Sequence, residues 1–206
     1  MSVEASEVVR KLQGFLQPTA IVSHPVLLQE TNPDGQHPPI RVSNTGGAVF
    51  VSFDRWFNAS ECKRKYCPDA GDLAGRLYPL FVDGREVRRS SDYLCFHAHD
   101  DILWVLMFEL KSMHSDGARL QIVCTSRLAE YFIRVALQAV KESDWPRIEY
   151  RGVVIKEQAC HQKRRQGAWI QYDPDRIKSN LAYATVKREN SYALDIFLCW
   201  PRFADR

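Results

Sequence analysis

Nothing in the 206-residue chain approaches the roughly 20 apolar residues a membrane-spanning helix needs; the longest uninterrupted apolar run, residues 102–108, holds seven. No N-terminal segment joins basic residues to an apolar stretch with a cleavage site, so the chain is expected to be soluble and cytoplasmic. Neither charge sign dominates. With 28 Lys and Arg against 25 Asp and Glu the net charge is +3, too mild by itself to announce a polyanion binder. Close cysteine pairs are also missing: the six cysteines, at 62, 67, 95, 124, 160 and 199, are scattered, which excludes a disulfide-stapled secreted scaffold. Cys62, Cys67, His97, His99, Cys160 and His161 could be assembled into a zinc site on paper, but their spacing is unlike that of structural zinc. A zinc-stabilised interaction protein stays as an alternative. Repeats and low-complexity linkers are absent as well, which leaves one domain over 1–206.

What is present suffices for a core: 45% of the residues are hydrophobic and 11% aromatic. Val8, Val9, Leu12, Phe15 and Leu16 recur at helical spacing before Pro18, predicting an amphipathic helix over 3–16. Residues 29–39 read as loop and 48–53 as a strand, with short helices expected in the polar stretch up to Leu77. Asp83-Gly84 between extended runs predicts a hairpin over 78–89. A second hairpin is expected over 92–111, a long helix over 118–141, and strands over 148–155, 168–172 and 192–200. This order of helix, strands, helix and strands predicts an α/β (α+β) domain with one central sheet flanked by helices.

The 92–111 hairpin raises a chemical question, because an apolar strand closes on Glu109, Leu110 and Lys111. If Asp100-Asp101 forms a two-residue turn, Asp92 comes opposite Glu109, with Cβ atoms about 5 Å apart, and Lys111 shares their face while Leu110 points away. Facing carboxylates destabilise a sheet unless something positive lies between them. Mg²⁺ suits that role, since it takes hard oxygen ligands and completes its shell with water and substrate phosphate. An ammonium at Lys111 could then assist an attacking water. Asp100 and Asp101 are read as turn formers, with Asp101 the reserve ligand. His97 and His99 fall on the other face.

An Asp opening one strand, an acid-x-Lys closing the next, and a helix afterwards: this resembles the PD-(D/E)xK nuclease superfamily, over a core of about 75–155. The resemblance implies a restriction-endonuclease-like fold and a Mg²⁺- or Mn²⁺-dependent nuclease. It implies that Asp92 and Glu109 bind the metal, that the Leu110 carbonyl adds a ligand, and that Lys111 is the catalytic lysine. Gln121 occupies the place of a polar helix residue found in many members. Glu4 or Glu7 would be an additional acid from an N-terminal helix, and Ser91 stands where the motif's name has Pro. Defence against foreign nucleic acid, or repair, is the role such nucleases often have.

For substrate contact the expected residues are Arg88 and Arg89, with Arg85, beside the Asp92 strand, and Lys156, Lys163, Arg164 and Arg165 after a later strand; solvated loops are the plain alternative. Trp169 and Tyr172 could stack on bases or belong to the core. The expected partner is nucleic acid, DNA ahead of RNA. A partner protein or a second copy of the chain would supply specificity, because no separate recognition domain is evident. The rival to an enzyme is a catalytically inactive module that keeps the fold for binding.

Overall fold

A computed structural model describes residues 2–16, 18–29, 38–53, 90–111, 117–157, 170, 172–174 and 180–198. Among them are two helices, α1 (Ala5–Phe15) and α2 (Ala118–Ala136), and nine strands in two mixed sheets, an α/β architecture. The strands are β1 (Val26–Leu28), β2 (Ile40–Ser43), β3 (Val49–Ser52), β4 (Tyr93–His99), β5 (Ile102–Lys111), β6 (Arg147–Lys156), β7 (Asp173–Pro174), β8 (Leu181–Lys187) and β9 (Ser191–Ala193). The six-stranded sheet runs β3-β4-β5-β6-β8-β7 and the three-stranded sheet β1-β2-β9.

The large sheet is covered on both faces, which explains why β5 is apolar almost without alternation and why β6 is buried over most of its length. Leu94, Phe96, Leu103, Val105 and Met107 pack against Val8, Leu12, Ile122 and Ile133 of the two helices. The alternate residues Tyr93, Cys95, Leu106, Phe108 and Val153 meet the small sheet and Phe197 on the other side. Fully burying each such Leu, Val or Phe is worth about 1.5–3 kcal/mol, so β4 and β5 anchor both cores.

The β4–β5 hairpin has the two-residue turn expected of it. Asp100 and Asp101 take φ of 50° and 58°, the positive values a type I′ turn requires, and Tyr93 pairs with Phe108 through to His99 with Ile102. From β5 the chain crosses through α2 to β6, which lies parallel to β5, and β8 lies parallel to β6. Three strands therefore end side by side on Lys111, Lys156 and Lys187. Gly152 sets the height of α2 above them: a Cβ there would lie 2.5 Å from Cγ2 of Ile122. Only a bare backbone admits the helix that close.

Several elements differ from expectation. The long helix stops at Ala136 rather than 141, where Leu137 turns inward and is fully buried. Of 192–200, only 191–193 is strand; residues 194–197 form a 3₁₀ turn, whose three-residue period puts both Leu194 and Phe197 into the core. Strands β1, β2 and β8 are not among the expected elements: β1 and β2 are only three and four residues long, and β8 buries Ala182 and Ala184 where a stronger strand former would be expected. The 78–89 hairpin and the short helices before Leu77 lie outside the described residues, as do all of 168–172 except Ile170 and Tyr172.

Candidate active site at the end of β5

Glu109 is the third residue from the end of β5, and its side chain is 1% exposed, on the helix-facing side with Met107 and Val105. Lys111 stands two residues on, with its Nζ 2.6 Å from Glu109 Oε1. The same ammonium donates to Gln121 Oε1 at 3.1 Å, and the Gln121 amide in turn donates to the Ser90 carbonyl at 3.1 Å. Gln121 sits in the first turns of α2, so the helix that Gly152 lets approach the sheet also fixes the lysine. A chain of three polar links thus ties β5, α2 and the residue leading into β4.

Asp92 lies one position past the β4–β5 ladder, whose last pair is Tyr93 with Phe108. The register extends to Asp92 opposite Glu109, but the carboxylate has turned into the gap between the strands, where Oδ2 accepts the Leu110 N–H at 2.6 Å. It can do so because the chain peels away just before it: the Ser91 N–H leaves the ladder and donates to Thr125 Oγ1 of α2 at 2.7 Å. In an extended strand the N–H and C=O of one residue point to the same neighbour, so the Leu110 carbonyl opens on the Asp92 side while its side chain is buried in the opposite core.

The electrostatics single out Glu109. Burial pushes its carboxyl up to about 7 from an ordinary value of 4.5, against the opposing pull of the Lys111 ammonium, the Asp92 backbone N–H and the Gln121 amide. Its second oxygen, Oε2, is buried with no hydrogen-bond partner among the described residues. A buried acceptor left unpaired costs the fold about 1–3 kcal/mol, and a charged one more. The site thus combines an under-satisfied carboxylate, a second carboxylate, a backbone carbonyl and a clamped ammonium, a donor set suited to a hard divalent cation and a phosphate.

The remaining expected residues divide clearly. Lys156 ends β6 beside Lys111 and is half-buried. Arg85, Arg88, Arg89, Lys163, Arg164, Arg165 and Trp169 lie outside the described residues, as do Cys62, Cys67, Cys160 and His161 of the paper zinc site. Asp101 is at the turn, eight residues from Glu109 along β5 and therefore about 26 Å away, too far to share a ligand with it. His97 and His99 stack on each other at 6.0 Å on the far face, where burial and His99 lower the His97 pKa and Asp195 opposes them. Glu7 pairs with Lys11 at 3.1 Å and Glu4 accepts the Ser6 hydroxyl at 3.2 Å, so neither contributes a contact to the β5 cluster. Tyr172 is core, its hydroxyl donating to the Phe197 carbonyl at 3.1 Å. Among the described residues no group of three His, Cys, Asp or Glu side chains converges.

Two participants were not foreseen. The Ser90 carbonyl that anchors Gln121 has no signature in any sequence, since it is a backbone group. Lys187 completes the row of strand-end lysines, and only recognition of β8 as a strand would have placed it there.

Comparison of the chain with protein-family models, curated proteins and solved structures gives no match. Among the described residues no helix is long and apolar enough to cross a membrane.

Proposed function

We propose that the protein is a metal-dependent nuclease, a phosphodiesterase acting on DNA or RNA, with a restriction-endonuclease-like arrangement of its large sheet. The observation that carries this reading is Glu109, a buried carboxylate with an unpartnered oxygen, ion-paired to a lysine two residues away that a helix glutamine clamps. Hairpin, helix and parallel strand in succession around that site agree with the resemblance noted from the sequence.

Asp92 and Glu109, with the Leu110 carbonyl, are the residues that would hold Mg²⁺ or Mn²⁺, which when bound would polarise the scissile phosphate and lower the pKa of an attacking water. The chain's own groups do the rest. Lys111 places a positive charge where a phosphoryl oxygen gains negative charge, and Gln121 keeps the ammonium from swinging into solvent. The Leu110 N–H holds the Asp92 carboxylate in position. The hydrophobic surroundings of Glu109 keep water out and strengthen each of these interactions. A role in defence or repair follows from the resemblance alone.

The test is incubation of purified protein with single- and double-stranded DNA and RNA in Mg²⁺, Mn²⁺ or EDTA. Cleavage is expected only with a divalent cation and is expected to vanish in Glu109→Ala and Lys111→Ala. Absence of cleavage on every substrate, cleavage that EDTA leaves intact, or cleavage that survives both substitutions overturns the proposal.

A further inference from the structure

Lys111, Lys156 and Lys187 are direct cross-strand neighbours in the parallel register, Lys111 beside Lys156 and Lys156 beside Lys187. Alternation puts all three on the helix-facing side: Lys111 with Glu109, Lys156 with Val154, and Lys187 with Leu181 and Thr185. Adjacent strands are about 5 Å apart, so the backbones of three lysines line the carboxyl end of the sheet at that spacing. Lys111 has Glu109 as its counter-charge, whereas neither Lys156 nor Lys187 has an ion-pair partner among the described residues. Arg119, exposed in the first turn of α2, reaches over the ring of Tyr183 in β8, 5.2 Å from its centroid, and adds a fourth cation on the same side.

Like charges side by side on a sheet oppose folding, so a row of this kind is retained against a cost that a bound polyanion would remove. The row also lies at the carboxyl ends of parallel strands, the end of an open α/β sheet at which ligands bind. We infer that Lys156 and Lys187, aided by Arg119, grip the phosphate backbone of one nucleic-acid strand and lead it across the sheet edge to Lys111 and Glu109. The row is sequence-blind, since lysines read phosphate and not bases. The inference rests on the nuclease reading for the identity of the polyanion, while its geometry is independent of any metal.

The experiment measures binding and not cleavage. Anisotropy of short fluorescent single-stranded DNA, single-stranded RNA and duplex DNA is followed with the full chain in EDTA, across a series of KCl concentrations. Each lysine that neutralises a phosphate contributes about 0.7 to the slope of log K against log salt for a single strand and about 0.9 for duplex DNA. Lys156→Ala/Lys187→Ala is therefore expected to flatten the slope by about 1.4 to 1.8. Lys141→Ala, at an exposed lysine five residues beyond the end of α2, removes a charge without touching the row and is expected to leave the slope unchanged. Circular dichroism confirms that the variants fold, and Lys187→Arg, which keeps the charge, should retain the slope.

A double variant indistinguishable from Lys141→Ala, or a wild-type chain that binds none of the three probes, overturns the inference. Cleavage by the same samples in Mg²⁺ separates the two readings. A flattened slope without any cleavage supports the row and sinks the nuclease, and cleavage with an unchanged slope does the reverse.

Discussion

Two charged residues of the large sheet are 1% exposed, one on each face, and the protein treats them differently. Arg151 lies in mid-strand β6, 1% exposed, between the rings of Trp104 at 5.0 Å and Tyr172 at 5.5 Å. Its Nη1 donates to Glu149 Oε2 at 3.1 Å and to the Tyr150 carbonyl at 2.8 Å, and Arg147 holds the other oxygen of Glu149 at 2.9 Å. Glu109 is equally buried, yet it has a single cationic partner and a carboxyl driven toward neutrality. Each site leaves one buried atom without a hydrogen bond among the described residues, Arg151 Nη2 and Glu109 Oε2. A guanidinium between aromatic faces and a twice-paired carboxylate is a structural solution to a buried charge. A carboxylate with one cationic partner, at a strand end beside a second carboxylate and a backbone carbonyl, suits a divalent cation, and that contrast is why the proposed function rests on Glu109 and not on Arg151.

Substitutions should separate the two by what they damage. The largest effect is expected on activity: Glu109→Ala or Lys111→Ala should lower metal-dependent cleavage by about 1,000-fold or more, because each removes charge stabilisation from the transition state. Arg151→Ala should instead lower stability by about 3–5 kcal/mol, since it strands part of a buried ionic group and empties the space between two rings. Urea denaturation measures that loss, and a stable Arg151→Ala protein would show that the cluster is not structural.

The pH dependence of stability sharpens the contrast. With the Glu109 carboxyl near 7 in the fold against 4.5 for the ordinary side chain, the folded state holds a proton that the unfolded chain has released between those values. Stability from this group is therefore greatest below about pH 4.5 and falls as pH rises through 7, by about 3 kcal/mol. Glu109→Gln should be more stable than wild type by about that much at pH 8, with the gain fading below pH 5. Equal stability of the two proteins across that range would remove the burial argument. Gly152→Ala is expected to cost about 1–3 kcal/mol by forcing Cβ against Ile122. It should also slacken the Gln121 clamp, lowering cleavage with little change in binding.

How much of this was legible beforehand depends on the range of the interactions. The hairpin register followed from residues 92–111 alone, because a two-residue turn fixes every pair of the ladder, and the strands do pair with numbers summing as that turn requires. Glu109 and Lys111 could be named from local context at the end of one strand, whereas Gln121 is named only through the resemblance. The turn of Asp92 onto the Leu110 N–H could not, because it depends on Thr125 drawing Ser91 out of the ladder from a helix more than thirty residues away. Nor could the lysine row, which exists only once β6 and β8 are set parallel to β5, and β8 hides its strand character behind small alanines. The small sheet of β1, β2 and β9 is equally non-local, joining residues about 150 apart.

The central claim is that the fold holds Glu109 short of positive charge so that a divalent cation can supply it. Thermal unfolding at pH 8, with and without Mg²⁺, tests this for wild type and Glu109→Gln side by side. Ligand binding to the native state alone raises its stability, so Mg²⁺ should raise the melting temperature of wild type and leave that of Glu109→Gln unmoved. A wild-type melting temperature indifferent to Mg²⁺, or an equal rise in both proteins, would contradict the claim.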